Sequence, residues 1–172
     1  MLAASIAVAS GLVIGDVVNP FSDTLFQVGW LTYPVTVVYL VAYVNIFNLI
    51  DGLDGLASGI AFIASVTLFV LSLLRGQLDA ASLAIALAGS TLGFLRYNFH
   101  PASIFLGDCG SLLLGFTLAT VSLLSVTRIS SLTTILVPLV VAGIPIIDTL
   151  SAIIRRRRAH VSVGQADRGH IH

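Results

Sequence analysis

Apolar residues run through this chain in long unbroken blocks, and the polar residues are gathered into the short gaps between them. A helix crossing a bilayer needs about 20 predominantly apolar residues. Six blocks meet or approach that length, at roughly 1–18, 30–50, 55–74, 80–97, 109–127 and 131–154. The gaps are rich in Gly, Pro, Asn, Asp and Arg, the residues that turns require. The first block is the weakest, because Gly11, Gly15 and Asp16 interrupt it. It lacks the basic start and small-residue cleavage pattern of a signal peptide, so the pattern predicts a spanning helix or the end of one. The expectation is an all-α, polytopic membrane protein with about six transmembrane helices. Residues 1–154 form the transmembrane helical domain and 155–172 a basic, His-containing tail.

Composition sharpens this. Of 172 residues, 57% are hydrophobic and only 9% charged, against about 25% charged in ordinary soluble domains. There is no Lys and no Glu; the charges are 8 Arg and 8 Asp, netting zero. Their placement is therefore more informative than their sum. Cytoplasmic loops carry an excess of basic residues. Starting the first helix on that side puts the gaps near 51–54 and 98–108, and the tail, there too. Those segments hold Arg96, Arg155, Arg156, Arg157, Arg158 and Arg168, whereas the opposite loops hold only Arg75 and Arg128. The run Arg155–Arg158 also reads as a stop-transfer anchor on anionic lipid. The single Cys109 excludes an internal disulfide.

The orientation chosen on arginines sorts the other polar residues as well. Asp51, Asp54, Asp108, Asp167, Asn45, Asn48, His100, His170 and His172 all fall on the cytoplasmic side. The other side keeps Asp23 and Asp79, with Asp16 near its boundary. A shared site at one membrane surface is the economical explanation.

Three stretches could carry its chemistry. In Asn45-Ile46-Phe47-Asn48-Leu49-Ile50-Asp51-Gly52-Leu53-Asp54-Gly55-Leu56-Ala57, the residues Asn45, Asn48 and Asp51 recur every third position along one side of a helix end. Polar groups there are costly unless they face protein, water or an ion, although a helix cap and tight turn use the same residue types. In Asn98-Phe99-His100-Pro101-Ala102-Ser103-Ile104-Phe105-Leu106-Gly107-Asp108-Cys109-Gly110-Ser111, Asp108 either caps the helix that follows or supplies oxygen to a hard cation. Mg²⁺ takes one or two carboxylates together with substrate phosphates, and Asp51, Asp54, Asp108 and Asn48 offer such donors. Phe105 either stacks on a base or packs at a helix start. In Ala166-Asp167-Arg168-Gly169-His170-Ile171-His172, Arg168 and the two His suit phosphate contact, unless the segment is only a solvated tail. Asp148, in the last apolar block, is either functional or paired with Arg155 two turns on. His160 reads as linker, and His100 stays open.

Together these stretches resemble the polyprenyl-phosphate N-acetylhexosamine-1-phosphate transferase family (glycosyltransferase family 4), in the family's order and over essentially the whole chain. The resemblance implies a Mg²⁺-dependent enzyme, with Mn²⁺ as a substitute. It would move N-acetylhexosamine-1-phosphate from a UDP-sugar to undecaprenyl or another polyprenyl phosphate, releasing UMP, in cell-wall or surface polysaccharide synthesis. It implies Asp108, Asp51, Asp54, His170 and His172 as catalytic residues, and Asn45, Asn48, Phe105 and Arg168 as substrate-binding residues. Asp108 and Asn48 would lie at the metal and Phe105 on the uracil. His170-Ile171-His172 is similar to the His motif of members using UDP-N-acetylglucosamine. The branch transferring phospho-MurNAc-pentapeptide carries three consecutive His, so the acetylglucosamine branch is expected. The implied partners are the UDP-sugar, polyprenyl phosphate and the bilayer of the cell inner membrane, with a homodimer as a family expectation and no nucleic acid.

One departure is plain: the family's adjacent Asp-Asp pair, and its basic, glycine-containing N-terminal motif, are not found in this sequence. The chain thus reads as the C-terminal half of a longer enzyme. The competing expectations are a non-catalytic membrane assembly subunit, or a transporter whose Asp148, Asn45 and Asn48 line a pathway.

Overall fold

The computed structural model describes residues 1–15, 17–18, 25–26 and 29–125. The block at 131–154, with Asp148, and the tail bearing Arg155–Arg158, Asp167, Arg168, His170 and His172 lie outside the described residues. The order is α1 (Leu2–Ala9), a two-residue antiparallel ladder of β1 (Val17–Val18) and β2 (Leu25–Phe26), a 3-10 turn (Gly29–Leu31), then α2 (Thr32–Ile50), α3 (Leu56–Leu74), α4 (Leu78–Asn98) and α5 (Gly107–Ser125). Four helical segments are long and apolar enough to cross a membrane: Gly29–Ile50, Leu56–Leu74, Leu78–Asn98 and Gly107–Ser125. At about 1.5 Å per residue, their 19 to 22 residues match a hydrocarbon core about 30 Å thick. The protein is thus a polytopic, helical membrane protein, as the block pattern predicts.

Of the two expectations for the first block, a spanning helix or the end of one, the structure has the shorter. Its helix is eight residues long, Leu2–Ala9, not a span over 1–18. Ser10 folds its hydroxyl back onto the Ala7 carbonyl at 2.7 Å, and Gly11 then takes a positive φ of 95°, a conformation that ends helices. The segment that follows turns onto α2, where the Ile14 N–H donates to Thr36 Oγ1 at 2.9 Å. The interrupting glycine, visible in the sequence, outweighs the apolar content around it.

Helix boundaries follow local chemistry. Pro34 sits in the first turn of α2, where a missing N–H costs nothing. Asp79 lies in the first turn of α4 and Arg96 in its last, each opposing the helix dipole. Gly55 (φ 74°) enters α3 and Gly76 (φ 70°) follows it.

Between apolar helices in lipid there is no hydrophobic drive to associate, so close packing by small residues takes over. α3 lies along α4, and the residues these two helices bury are small: Ala57, Ser58, Ala61 and Ser65 on α3, Ala80, Ala81, Ala84 and Ala88 on α4. α2 lies along α5, which also touches α3 and α4. Here larger side chains, Leu40, Tyr43, Phe47 and Leu118, are buried, and Gly115 lets the two backbones approach. A Cβ added at Gly115 would stand 2.9 Å from Val44 Cα, 3.0 Å from Phe47 Cβ and 3.1 Å from Tyr43 O. Most hydroxyls within the spans are satisfied locally, as Ser65 on Ala61 O, Thr91 on Leu87 O and Thr117 on Leu113 O, or in pairs, as Tyr39 with Ser122 and Ser72 with Ser125; the buried Thr120 hydroxyl has no hydrogen-bond partner among the described residues. Large apolar side chains such as Val38, Ile63, Leu92 and Leu113 point outward, as a lipid-facing surface requires.

Candidate functional site

Four antiparallel spans put the α2–α3 loop (51–55) and the α4–α5 loop (99–106) at one end of the bundle. Arg75 and Ser125 meet at the other, with Arg75 Nη1 donating to Ser125 O at 3.4 Å. The sorting of Asp51, Asp54 and Asp108 onto one face, expected from the arginine count, is thus a property of the fold.

Two polar clusters occupy that end. The first joins α2 to α5. Asn48 Nδ2 donates to Asp108 Oδ1 at 3.2 Å and to Ser111 Oγ at 3.1 Å, while the Ser111 hydroxyl donates to the Asp108 carbonyl at 3.2 Å. Asp108 lies inside the first turn of α5, after Gly107 with φ 62°. It therefore does not stand ahead of the helix as a capping residue would; its exposed carboxylate faces α2 and the loop. Asp51 ends α2, its N–H on Phe47 O at 3.2 Å. Burial, and then the negative charge of Asp108, push the Asp51 carboxyl above its ordinary range. Two carboxylates that repel one another beside an amide form a place where a cation lowers the energy.

The second cluster joins the two loops. Asp54 Oδ2 accepts the Ala102 N–H at 3.1 Å and lies 3.1 Å from His100 Nδ1. The Ala102 N–H, followed by His100, holds the Asp54 carboxyl below its ordinary value. The set of oxygen donors grouped from the sequence therefore divides: Asn48, Asp51 and Asp108 stand together, while Asp54 clamps the α4–α5 loop. Among the described residues no three His, Cys, Asp or Glu side chains converge on one point. A cation held by Asp108 and Asp51 would use the Asn48 oxygen, which requires that amide to turn over from its present donor role. The donor set, two hard carboxylates and one amide, fits Mg²⁺ with substrate phosphates completing its shell.

Of the other residues singled out, Asn45 is exposed and donates to its own helix at Val41 O, 2.7 Å. Phe105 is 72% exposed on the α4–α5 loop, a ring open to stacking. His100, left open by the sequence, is a loop residue facing Asp54. Asn98, the last residue of α4, is a site residue that the motif spacing does not single out. It is 4% exposed and reaches both loops. A polar side chain at the last position of a membrane helix, next to a loop rich in site residues, was the available signal.

The fold and its polar end define an integral membrane protein whose candidate chemistry sits at one membrane surface, where a lipid-borne group and a soluble one can meet. The model of Glycosyl transferase family 4 matches residues 1–126, and the chain belongs to that family. It is 44% identical over 165 residues to the probable undecaprenyl-phosphate N-acetylglucosaminyl 1-phosphate transferase of Bacillus subtilis, covering 96% of this chain and 46% of that protein. It is 41% identical over 140 residues to the phospho-N-acetylmuramoyl-pentapeptide-transferase of Clostridium botulinum, covering 81% of this chain and 41% of the relative. The corresponding transferase of Moorella thermoacetica is 39% identical over 155 residues, 90% of this chain and 46% of its own length. The chain spans somewhat under half the length of these relatives.

Proposed function

We propose that the protein to which this chain belongs transfers N-acetylglucosamine-1-phosphate from UDP-N-acetylglucosamine to undecaprenyl phosphate or a related polyprenyl phosphate, releasing UMP, in cell-wall or surface polysaccharide synthesis. The observation that carries this reading is the Asn48–Asp108–Ser111 cluster with Asp51 beside it, at the end of spans that belong to a family of such transferases. A phosphate oxygen of the lipid attacks the sugar-bearing phosphorus of the UDP-sugar. A new P–O–P link forms and the bond to the UMP phosphate breaks. Asp108, Asp51 and Asn48 would hold Mg²⁺, which would neutralise pyrophosphate charge. Phe105 receives the uracil on its open face, and Asp54 fixes the loop that carries it. Arg168, His170 and His172 contact phosphate, and the excess of arginine places this surface on the cytoplasmic side of the cell membrane.

Two observations favour the acetylglucosamine substrate: the His170-Ile171-His172 spacing, and similarity to the Bacillus subtilis protein that runs over 165 of 172 residues and so takes in most of the tail. Transport is disfavoured, because within the four described spans the charged residues Asp79, Arg96 and Asp108 all lie in end turns. A pathway for a charged solute would call for ionisable groups through the membrane depth.

The test is UMP release by the purified full-length protein given undecaprenyl phosphate and UDP-N-acetylglucosamine. Asp108→Ala is expected to abolish release and the response to Mg²⁺. Undiminished activity in that variant would end the metal assignment, and a preference for UDP-MurNAc-pentapeptide would move the protein to the other branch.

A further inference from the structure

The two loops at the candidate site meet over one buried side chain. Asn98, the last residue of α4, accepts through a single oxygen, Oδ1, both the Gly55 N–H at 3.2 Å and the Ser58 hydroxyl at 2.7 Å. Its Nδ2 donates to the Ile104 carbonyl at 2.9 Å. Only one orientation of the amide satisfies all three partners, since one side needs an acceptor and the other a donor. Gly55 belongs to the loop bearing Asp51 and Asp54, and Ile104 to the loop bearing Phe105. At Gly55 the backbone also lies close against α4, where a Cβ would meet the Asn98 carbonyl oxygen and Phe99 Cα, each at 3.5 Å. Asp54 and Ala102 make a second, partly exposed bridge outside this buried one. The pair Asn48 and Asp108 is joined separately, through the α2–α5 contact at Gly115.

We propose that Asn98 is a positioning residue that sets the spacing of the two site loops by bridging Gly55 and Ser58 to Ile104. Its side chain bonds protein groups of both loops and of α3. On the activity proposed above, on which this inference rests, it holds the Asp54–Gly55 part of the turn at a fixed distance from the Phe105 ring and so shapes the nucleotide side of the site. Because Asn48 and Asp108 are held by the α2–α5 contact, and Asp51 is anchored to the end of α2 by its N–H on Phe47 O, Asn98 governs nucleotide affinity and leaves the cation response alone.

Hydrogen exchange and steady-state kinetics of the full-length protein in lipid nanodiscs test this together. Asn98→Leu removes both halves of the bridge. Amide exchange across residues 52–56 and 102–104 is expected to rise at least about tenfold while α5 from 108 onward keeps its protection, because a buried donor such as the Gly55 N–H loses its acceptor. The KM for UDP-N-acetylglucosamine should rise about tenfold with the Mg²⁺ midpoint unchanged. Asn98→Asp keeps the accepting oxygen and loses the donor. It should leave 52–56 protected while 102–104 exchanges faster, and this split gives a second reading should the leucine variant fail to accumulate. Unchanged exchange in both loops would overturn the proposal. So would a loss of protection spread equally through α5, or a shift of the Mg²⁺ midpoint in step with KM, since either means that Asn98 supports the bundle as a whole. Absence of UMP release by the unsubstituted protein would overturn the proposed activity, while the exchange readout, which needs no substrate, would still decide the bridge.

Discussion

Gly115→Ala should separate α2 from α5 and weaken the cation site a turn or two away. The added methyl would stand 2.9 Å from Val44 Cα and 3.0 Å from Phe47 Cβ. Carbon atoms rest about 3.5–4.0 Å apart, so α2 must retreat by about 0.6–1.1 Å. Neither partner can give by a rotamer change, because one is backbone and the other is the first carbon of a fully buried Phe47. Ser111 and Asp108 lie one and two turns before Gly115 on α5, and both bond Asn48, at 3.1 and 3.2 Å. A retreat of that size stretches these contacts to about 3.7 Å or more, beyond hydrogen-bonding range. Overpacking of this kind costs about 1–3 kcal/mol, which should appear as a fall of several degrees in Tm of the detergent-solubilised protein. The functional consequence is a higher Mg²⁺ concentration for half-maximal UMP release, with the UDP-sugar KM at saturating Mg²⁺ changed less. Gly115→Ala with unaltered Tm and an unaltered Mg²⁺ midpoint would refute the claim that backbone approach at this glycine sets the Asn48–Asp108 geometry.

Phe105→Ala should act in the opposite sense, raising the KM for the UDP-sugar and leaving the Mg²⁺ midpoint in place. Stacking on an aromatic ring is worth about 1–3 kcal/mol per base, so the rise should be about 5- to 150-fold; an unchanged KM would remove the ring from the site. The Asp54 bridge should show its own pH dependence. Its carboxyl is held below its ordinary value of 3.8 by the Ala102 N–H and then His100. The stabilisation is therefore complete above 3.8 and is lost as pH falls through the lower folded value. The Tm difference between the protein and Asp54→Asn should be constant above about pH 5 and shrink below the ordinary value. A difference that grows on acidification would contradict the sign.

The four described spans and the end at which polar residues gather were legible in the sequence, because both are set by local quantities. Hydrocarbon thickness fixes how many apolar residues a span needs, and the cost of polar groups in lipid drives them to the ends. The candidate site was legible as a list of residues, since Asn48, Asp51, Asp54 and Asp108 stand out once the spans are drawn. At the first block the sequence left a span and the end of one both open, and the backbone at Gly11 decides it by stopping the helix after Ala9.

Only the tertiary structure decided which of those residues work together. Asn48 reaches Asp108 across 60 positions of sequence and Asn98 reaches Gly55 across 43. Such pairings depend on which helix lies against which, through Gly115 on one side and the alanine and serine stripes of α3 and α4 on the other. Nothing in the spacing of Asp51, Asp54 and Asp108 says that Asp54 turns to the Ala102 amide while Asp51 feels the charge of Asp108. That division arises because a backbone N–H, already fixed by its own loop, is the nearer partner for one carboxylate and an unpaired charge for the other.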